Sequence, residues 1–202
     1  TSNLYVDVFC EDGAFTLEQS RRILTKAKQL GFPLRIHSDE FKALGGTRLA
    51  VELGAASADH LMVTPPDEVE LLGRSDTTAI LLPGTTFGLA HTDYADARAL
   101  IRAGAAVALA TDINPGTCWC ESMQFVIALA ARYMKMSVAE CIVASTLNAA
   151  HNKELADPAG ASKLTAQTLD PMHMTPEQFA ARLKSDYDKY EKVVKISGAR
   201  ID

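Results

Sequence analysis

The sequence predicts an α/β fold built on a parallel sheet of barrel type, five strand–helix units long. Two observations predict it. Five short apolar runs alternate with segments of helical periodicity between residues 4 and 112, with tight connections. Three of those runs, Ile36-His37, Ala58-Asp59-His60 and Ala110-Thr111-Asp112, end in a side chain able to bind a metal or move a proton. Barrel enzymes assemble their sites in this way, each strand delivering a polar residue from its C-terminal end to a common rim.

The elements follow in order. Leu4 to Phe9 reads as a strand, and Thr16 to Leu30 as a helix opened by a capping-box pair, Thr16 and Gln19, and closed by Gly31. Pro33 to His37 is a second strand, followed by a helix from Gly45 to Leu53. Ala58 to Met62 is a third, and Pro66 to Leu72 carries the acidic first turn of a helix start. Thr78 to Pro83 is a fourth, with Asp93 to Ala103 as its helix. Ala105 to Ala110, unbroken in its apolar character, is a fifth strand buried on both faces. Helices from Glu121 to Met134 and from Ser137 to Asn148 follow, the second opened by Ser137 and Glu140.

An open doubly wound sheet and a barrel both fit five such units. An open sheet usually carries a glycine-rich phosphate turn after its first strand, and Cys10-Glu11-Asp12-Gly13 is not one. The strand pattern stops near Asp112, short of the eight strands that close a barrel, so the units read as the last five of a (β/α)8 TIM-type barrel followed by a helical tail. The boundary between the two parts falls at about residue 150, giving regions 1–150 and 151–202.

Composition narrows the function. With 202 residues, 48% hydrophobic and 22% charged, the chain is long enough to bury a core. A formal net charge of −5, with acids and bases interspersed, gives no footprint for nucleic acid and no polybasic face for a membrane. No run of about 18 apolar residues or signal segment is present in the sequence. The four cysteines fit no zinc knuckle, and Cys118-Trp119-Cys120 is too closely spaced for an unstrained disulfide. They read as reduced thiols of a cytoplasmic protein.

The strand-end residues suit metal-assisted hydrolysis. A neutral His37 imidazole can ligate zinc or iron, and Asp112 offers a hard oxygen that also accepts a proton from water. Glu40, three residues after His37, is placed for proton transfer and substrate contact, and His60 for polarising a carbonyl or stabilising an oxyanion. Asn114, Gly116 and Thr117, on the turn after Asp112, offer amide and hydroxyl groups to a substrate edge. Plainer readings exist for the same residues. A single histidine after an apolar strand is most often a core or capping residue, and an isolated Glu40 a solvated loop carboxylate. His91, His151 and His173 stand outside any motif and read as surface residues.

Residues 3 to about 150 resemble the C-terminal half of imidazolonepropionase, of the amidohydrolase superfamily. The likeness is carried by Val8-Phe9-Cys10-Glu11, Ile36-His37 with Asp39-Glu40, Gly45-Gly46, Ser57-Ala58-Asp59-His60-Leu61, Leu81 through Phe87, and Leu109-Ala110-Thr111-Asp112 with Asn114-Pro115-Gly116. The resemblance implies hydrolysis of the cyclic amide of imidazolone propionate to formiminoglutamate, with one zinc or iron ion. It implies His37 and Asp112 as ligands, Glu40, His60 and Asp112 as catalytic groups, and Glu40, Asn114, Gly116 and Thr117 as substrate contacts. The family's His-x-His pair, which supplies two further ligands, is absent from this sequence. Two protein ligands hold zinc weakly, so an inactive chain with little or no metal is expected unless the rest of the barrel is supplied.

From about residue 148 the sequence instead resembles the C-terminal end of a Bug-type tripartite tricarboxylate receptor, through Thr175-Pro176-Glu177-Gln178-Phe179 and an amphipathic run including Leu183, Tyr187 and Tyr190. Three function classes therefore stand: a metal-dependent hydrolase of a small molecule, a non-catalytic interaction module, and a solute-receptor fragment. A second copy or a complementary N-terminal half are the expected protein partners.

Overall fold

A computed structural model describes residues 4–151. The expectations for the tail therefore lie outside the described residues. The strands are β1 (Val6–Cys10), β2 (Leu34–Ser38), β3 (Ser57–His60), β4 (Thr78–Leu81) and β5 (Val107–Leu109). The helices are α1 (Leu17–Gln29), α2 (Gly46–Leu53), α3 (Pro66–Gly73), α4 (Pro83–Gly88), α5 (Ala97–Ala103), α6 (Met123–Tyr133), α7 (Val138–Ser145) and α8 (Leu147–His151). No helix among the described residues is long and apolar enough to cross a membrane.

All four pairings are parallel, and the strand order is the chain order, β1-β2-β3-β4-β5. Each crossover steps the same way across the sheet. A doubly wound sheet would reverse that direction at a switch point, so the order is that of a barrel arc.

The period of two divides the strand residues. Val8, Cys10, Leu34, Ile36, Ala58, Ala79, Leu81, Val107 and Leu109 belong to the main apolar core that the helices cover. Their neighbours in sequence, among them Asp7, Phe9, His37, Asp59, Ile80 and Ala108, face the other side, the interior of the arc. There Ile80, Leu82 and Ala108 form a small separate cluster with Ala110 and Ala149.

Local chemistry fixes the helices. Thr16 caps α1 in a complete capping box with Gln19, Glu18 lies in its first turn and Lys26 and Lys28 in its last, and Ser20, Leu24 and Ala27 form the buried stripe. Ser137 and Glu140 make the second box, and Arg98 of α5 donates to both Glu140 oxygens at 2.6 and 2.7 Å. Arg98 first, then the capping bonds, hold the Glu140 carboxyl down at about 2.

Three elements depart from the sequence reading. The fourth strand ends at Leu81, and Pro83, which cannot donate to a ladder, opens the short helix α4. The next helix begins at Ala97, capped by the Asp96 side chain, rather than at Asp93. The last predicted helix breaks at Thr146, whose backbone (φ −129°, ψ −76°) leaves the helical region.

Candidate active site

The C-terminal ends of β1, β2, β3 and β5 open on a cavity of about 490 Å3, lined by Asp7, Phe9, His37, Glu40, Phe41, His60, Asp112, Asn114 and Thr117. The residues singled out from the sequence thus meet at one rim, apart from Gly116, which sits on the exposed turn beside it. Non-glycine residues with left-handed backbones gather there too: Asp39 (φ 56°), His60 (77°), Leu61 (59°) and Asp112 (51°). Such conformations cost free energy and persist where surrounding contacts enforce them. At His60 the left-handed turn breaks strand alternation, and the ring lies 5.3 Å from that of His37.

His37 is held from the adjoining strands. Its Nδ1 lies 3.1 Å from Asp7 Oδ1 on β1 and 3.8 Å from Asp59 Oδ2 on β3, its registered partner. Burial alone would lower the imidazole pKa, but the Asp7 hydrogen bond and charge, with Asp59 and Asp112 behind it, push it up to about 9. Burial in turn pushes the Asp59 carboxyl up to about 6. Neither Asp7 nor Asp59 was singled out from the sequence. The available signal was a charged residue inside an apolar strand, one at Val6-Asp7-Val8 and one immediately before His60.

Glu40 is buried, unlike the solvated loop carboxylate of the plainer reading. Burial first, then the charge of Asp112, pushes its pKa up to about 7. His60 goes the other way, lowered to about 4 by burial and by the positive His37. His60 Nε2 stands 3.6 Å from Glu40 Oε2 and 4.0 Å from Asp112 Oδ2. The loop bearing Glu40 is fixed by Glu11, whose buried carboxylate accepts from the backbone N–H groups of Asp12, Phe41 and Lys42. Asp39 adds a second tether, accepting from the hydroxyls of Thr47 (2.6 Å) and Thr64 (3.0 Å).

Asp112 stands on a turn organised from within. The Asn114 amide donates to the Asp112 carbonyl (2.8 Å) and to Thr117 Oγ1 (3.0 Å), while its oxygen accepts from the backbone of Gly116 (2.9 Å) and Thr117 (2.8 Å). The polar atoms of Asn114 are thus occupied by the turn. Thr85 of α4 donates to Asp112 Oδ2 at 2.7 Å.

The donor set suits a divalent cation. The cavity is lined by three carboxylates and two imidazoles, with no lysine or arginine among its lining residues. Asp7, His37 and Asp59 offer ligand atoms within 4.8 Å of one another, and Asp59 Oδ1 and His60 Nδ1 have no hydrogen-bond partner among the described residues. A mixed imidazole and carboxylate set is the kind that binds zinc or iron.

No family model matches the chain. It is similar to imidazolonepropionases: 55% identical over 147 residues to that of Herpetosiphon aurantiacus, covering 73% of this chain and 34% of the relative. The corresponding figures for Chloroflexus aggregans are 51% over 148 residues, 73% and 35%. Against Bacillus cytotoxicus they are 47% over 156 residues, 77% and 37%. The chain spans about a third of the length of these curated relatives. Among solved structures, an adenosine deaminase from Xanthomonas campestris with bound zinc superposes with a TM-score of 0.59 at 20% identity, over 73% of this chain and 38% of that one. An atrazine chlorohydrolase from Arthrobacter aurescens complexed with zinc and atraton gives 0.58 at 15%, over 72% and 37%. These likenesses show the fold of the described residues as an arc of the same α/β barrel. None of the relatives quoted bears on the expected resemblance of the tail to a receptor.

Proposed function

We propose that the chain carries the C-terminal half of an imidazolonepropionase-type active site, opening the cyclic amide of 4-imidazolone-5-propanoate to N-formimidoyl-L-glutamate once a polypeptide with the missing strands completes the barrel. The observation that carries this reading is the convergence of His37, Glu40, His60 and Asp112 on one cavity at the C-terminal rim of the sheet.

In this reading His37 and Asp112 hold one zinc or iron ion, with further ligands from the complementary part. Such an ion, when bound, polarises the amide carbonyl and acidifies the attacking water. The chain's own residues do the rest. Asp112 takes a proton from the water. His60, kept neutral by its lowered pKa, donates a hydrogen bond to the oxygen that gains charge. Glu40, with a pKa near 7, is protonated in a large fraction of molecules at neutral pH and supplies a proton to the ring nitrogen as the C–N bond breaks. The net change is one water added across that bond.

Thr117 and the turn of Asn114 and Gly116 lie beside the cavity and bound the substrate's edge. No lysine or arginine lines it among the described residues, and His37 is assigned to the ion, so the propionate carboxylate takes its charge partner from outside this half. The test is to mix the chain with a relative's N-terminal half and follow ring opening and metal content. Turnover and about one metal per complex are expected. A complex that forms with neither would refute the reading.

A further inference from the structure

The Leu81–Phe87 segment, distinctive in sequence, has no part in the proposed chemistry. We infer that it is a positioning device for Asp112, with Thr85 as the residue that acts; this rests on the reading of Asp112 as ligand and base. Thr85 is fully buried, and its hydroxyl carries one proton, which it gives to Asp112 Oδ2 at 2.7 Å. The Asn114 amide reaches the same oxygen at 3.3 Å. Among the described residues no hydrogen bond is directed at Oδ1, which is therefore the oxygen left for a ligand.

The rest of α4 brings Thr85 to that place. A Cβ on Gly88 would lie 2.0 Å from the Thr117 carbonyl oxygen, and one on Gly84 would lie 2.9 Å from Cys118 Sγ. Gly88 is thus required by direct backbone contact between α4 and the Asp112 turn, and Gly84 leaves the space that the Cys118 side chain fills. Cys118 Sγ reaches back to the Thr111 carbonyl at 3.2 Å and closes the turn against the helix. On its other side α4 is tied to the loop after His60, through the Thr86 hydroxyl on Met62 Sδ at 3.2 Å. One short helix therefore sets the spacing between the His60 side of the cavity and Asp112.

The experiment compares Thr85→Val, which keeps the shape and removes the donor, with Thr85→Ser, which keeps the donor. Amide exchange over 111–118 is read on the full chain, and the visible spectrum of added Co2+ on the chain complexed with a relative's N-terminal half. In Thr85→Val, exchange in the turn should rise roughly tenfold and Co2+ affinity fall roughly 10- to 100-fold, the scale for removing a group that orients a ligand. Thr85→Ser should stay within about threefold of the parent, the scatter expected for a conservative change. Equal behaviour of Val and parent, or of Val and Ser, overturns the inference. If Thr85→Val does not fold, Gly88→Ala serves in its place and should raise exchange in 111–118 before any change in the β1–β3 strands; exchange unchanged in the turn overturns it. A parent complex that binds no Co2+ counts against the metal reading alone, and the exchange comparison still decides the role of Thr85.

Discussion

The two halves of the candidate site are built by different means. On the β2–β3 side, His37, Glu40 and His60 are held by groups from other strands: Asp7 and Asp59 on the imidazole, Glu11 on the Glu40 loop. On the β5 side, Asp112 stands on a turn whose hydrogen bonds are largely its own, with α4 as the outside brace. In the first half Glu40 and His60 are buried and the three groups are strongly shifted in their protonation. The second orders itself locally on a partly exposed turn. A site assembled across strands depends on the sheet being intact, whereas one assembled within a turn depends on a few short-range bonds.

The largest effect should come from the turn side. In the complemented complex Asp112→Ala should abolish measurable turnover, because the proposed function makes one side chain both ligand and base, while His60→Ala should cost about two to three orders of magnitude in kcat. Comparable losses for the two would erase the asymmetry. Next comes the sheet side's dependence on buried support. Glu11→Gln puts an amide against backbone N–H donors and should lower unfolding stability by about 1–3 kcal/mol in a denaturant titration, with faster amide exchange around Phe41 and Lys42. Exchange unchanged there would mean that the loop is held by something else.

The pH dependence sharpens the contrast further. His37 is raised to about 9, so its stabilisation is complete below its unfolded pKa near 6.5 and is lost as pH rises through 9. Glu40, raised to about 7, acts in the same direction: its ionisation between about pH 4.5 and 7 is disfavoured in the folded state, so stability falls as pH rises. The melting temperature of the metal-free chain should therefore fall between pH 6.5 and 9, and His37→Asn should flatten that slope. A slope of the opposite sign would remove this account. Smallest is Asn114→Ala, which should cost about 1 kcal/mol or less because the turn faces solvent, while speeding exchange at Gly116 and Thr117 alone.

What was legible in the sequence follows the same division. Strand ends are read from apolar runs, so His37, His60 and Asp112 were visible as the last residues of their units. Capping boxes at Thr16 and Ser137 were equally plain because four residues contain the whole signal. Asp7, Asp59 and Glu11 were not, since their partners lie on other strands or loops and pairing depends on register. Helix α4 was missed because Leu82 and Pro83 extend the apolar run of β4, and only six residues of helix follow before Leu89. The brace on Asp112 was hidden with it, 27 residues away in sequence.

The strand order has a consequence for how such a sheet forms. Each strand pairs only with the next in the chain, as Val8 with Ile36, Ile36 with Ala58, Ala58 with Ala79 and Ile80 with Ala108. No pairing has to wait for a distant segment, so loop-closure entropy is spread over similar short steps and the arc can grow outward from any adjacent pair. Stability is then close to a sum of neighbour contacts, as in repeat proteins. Removing an end strand from such an arc costs one interface and leaves the others standing.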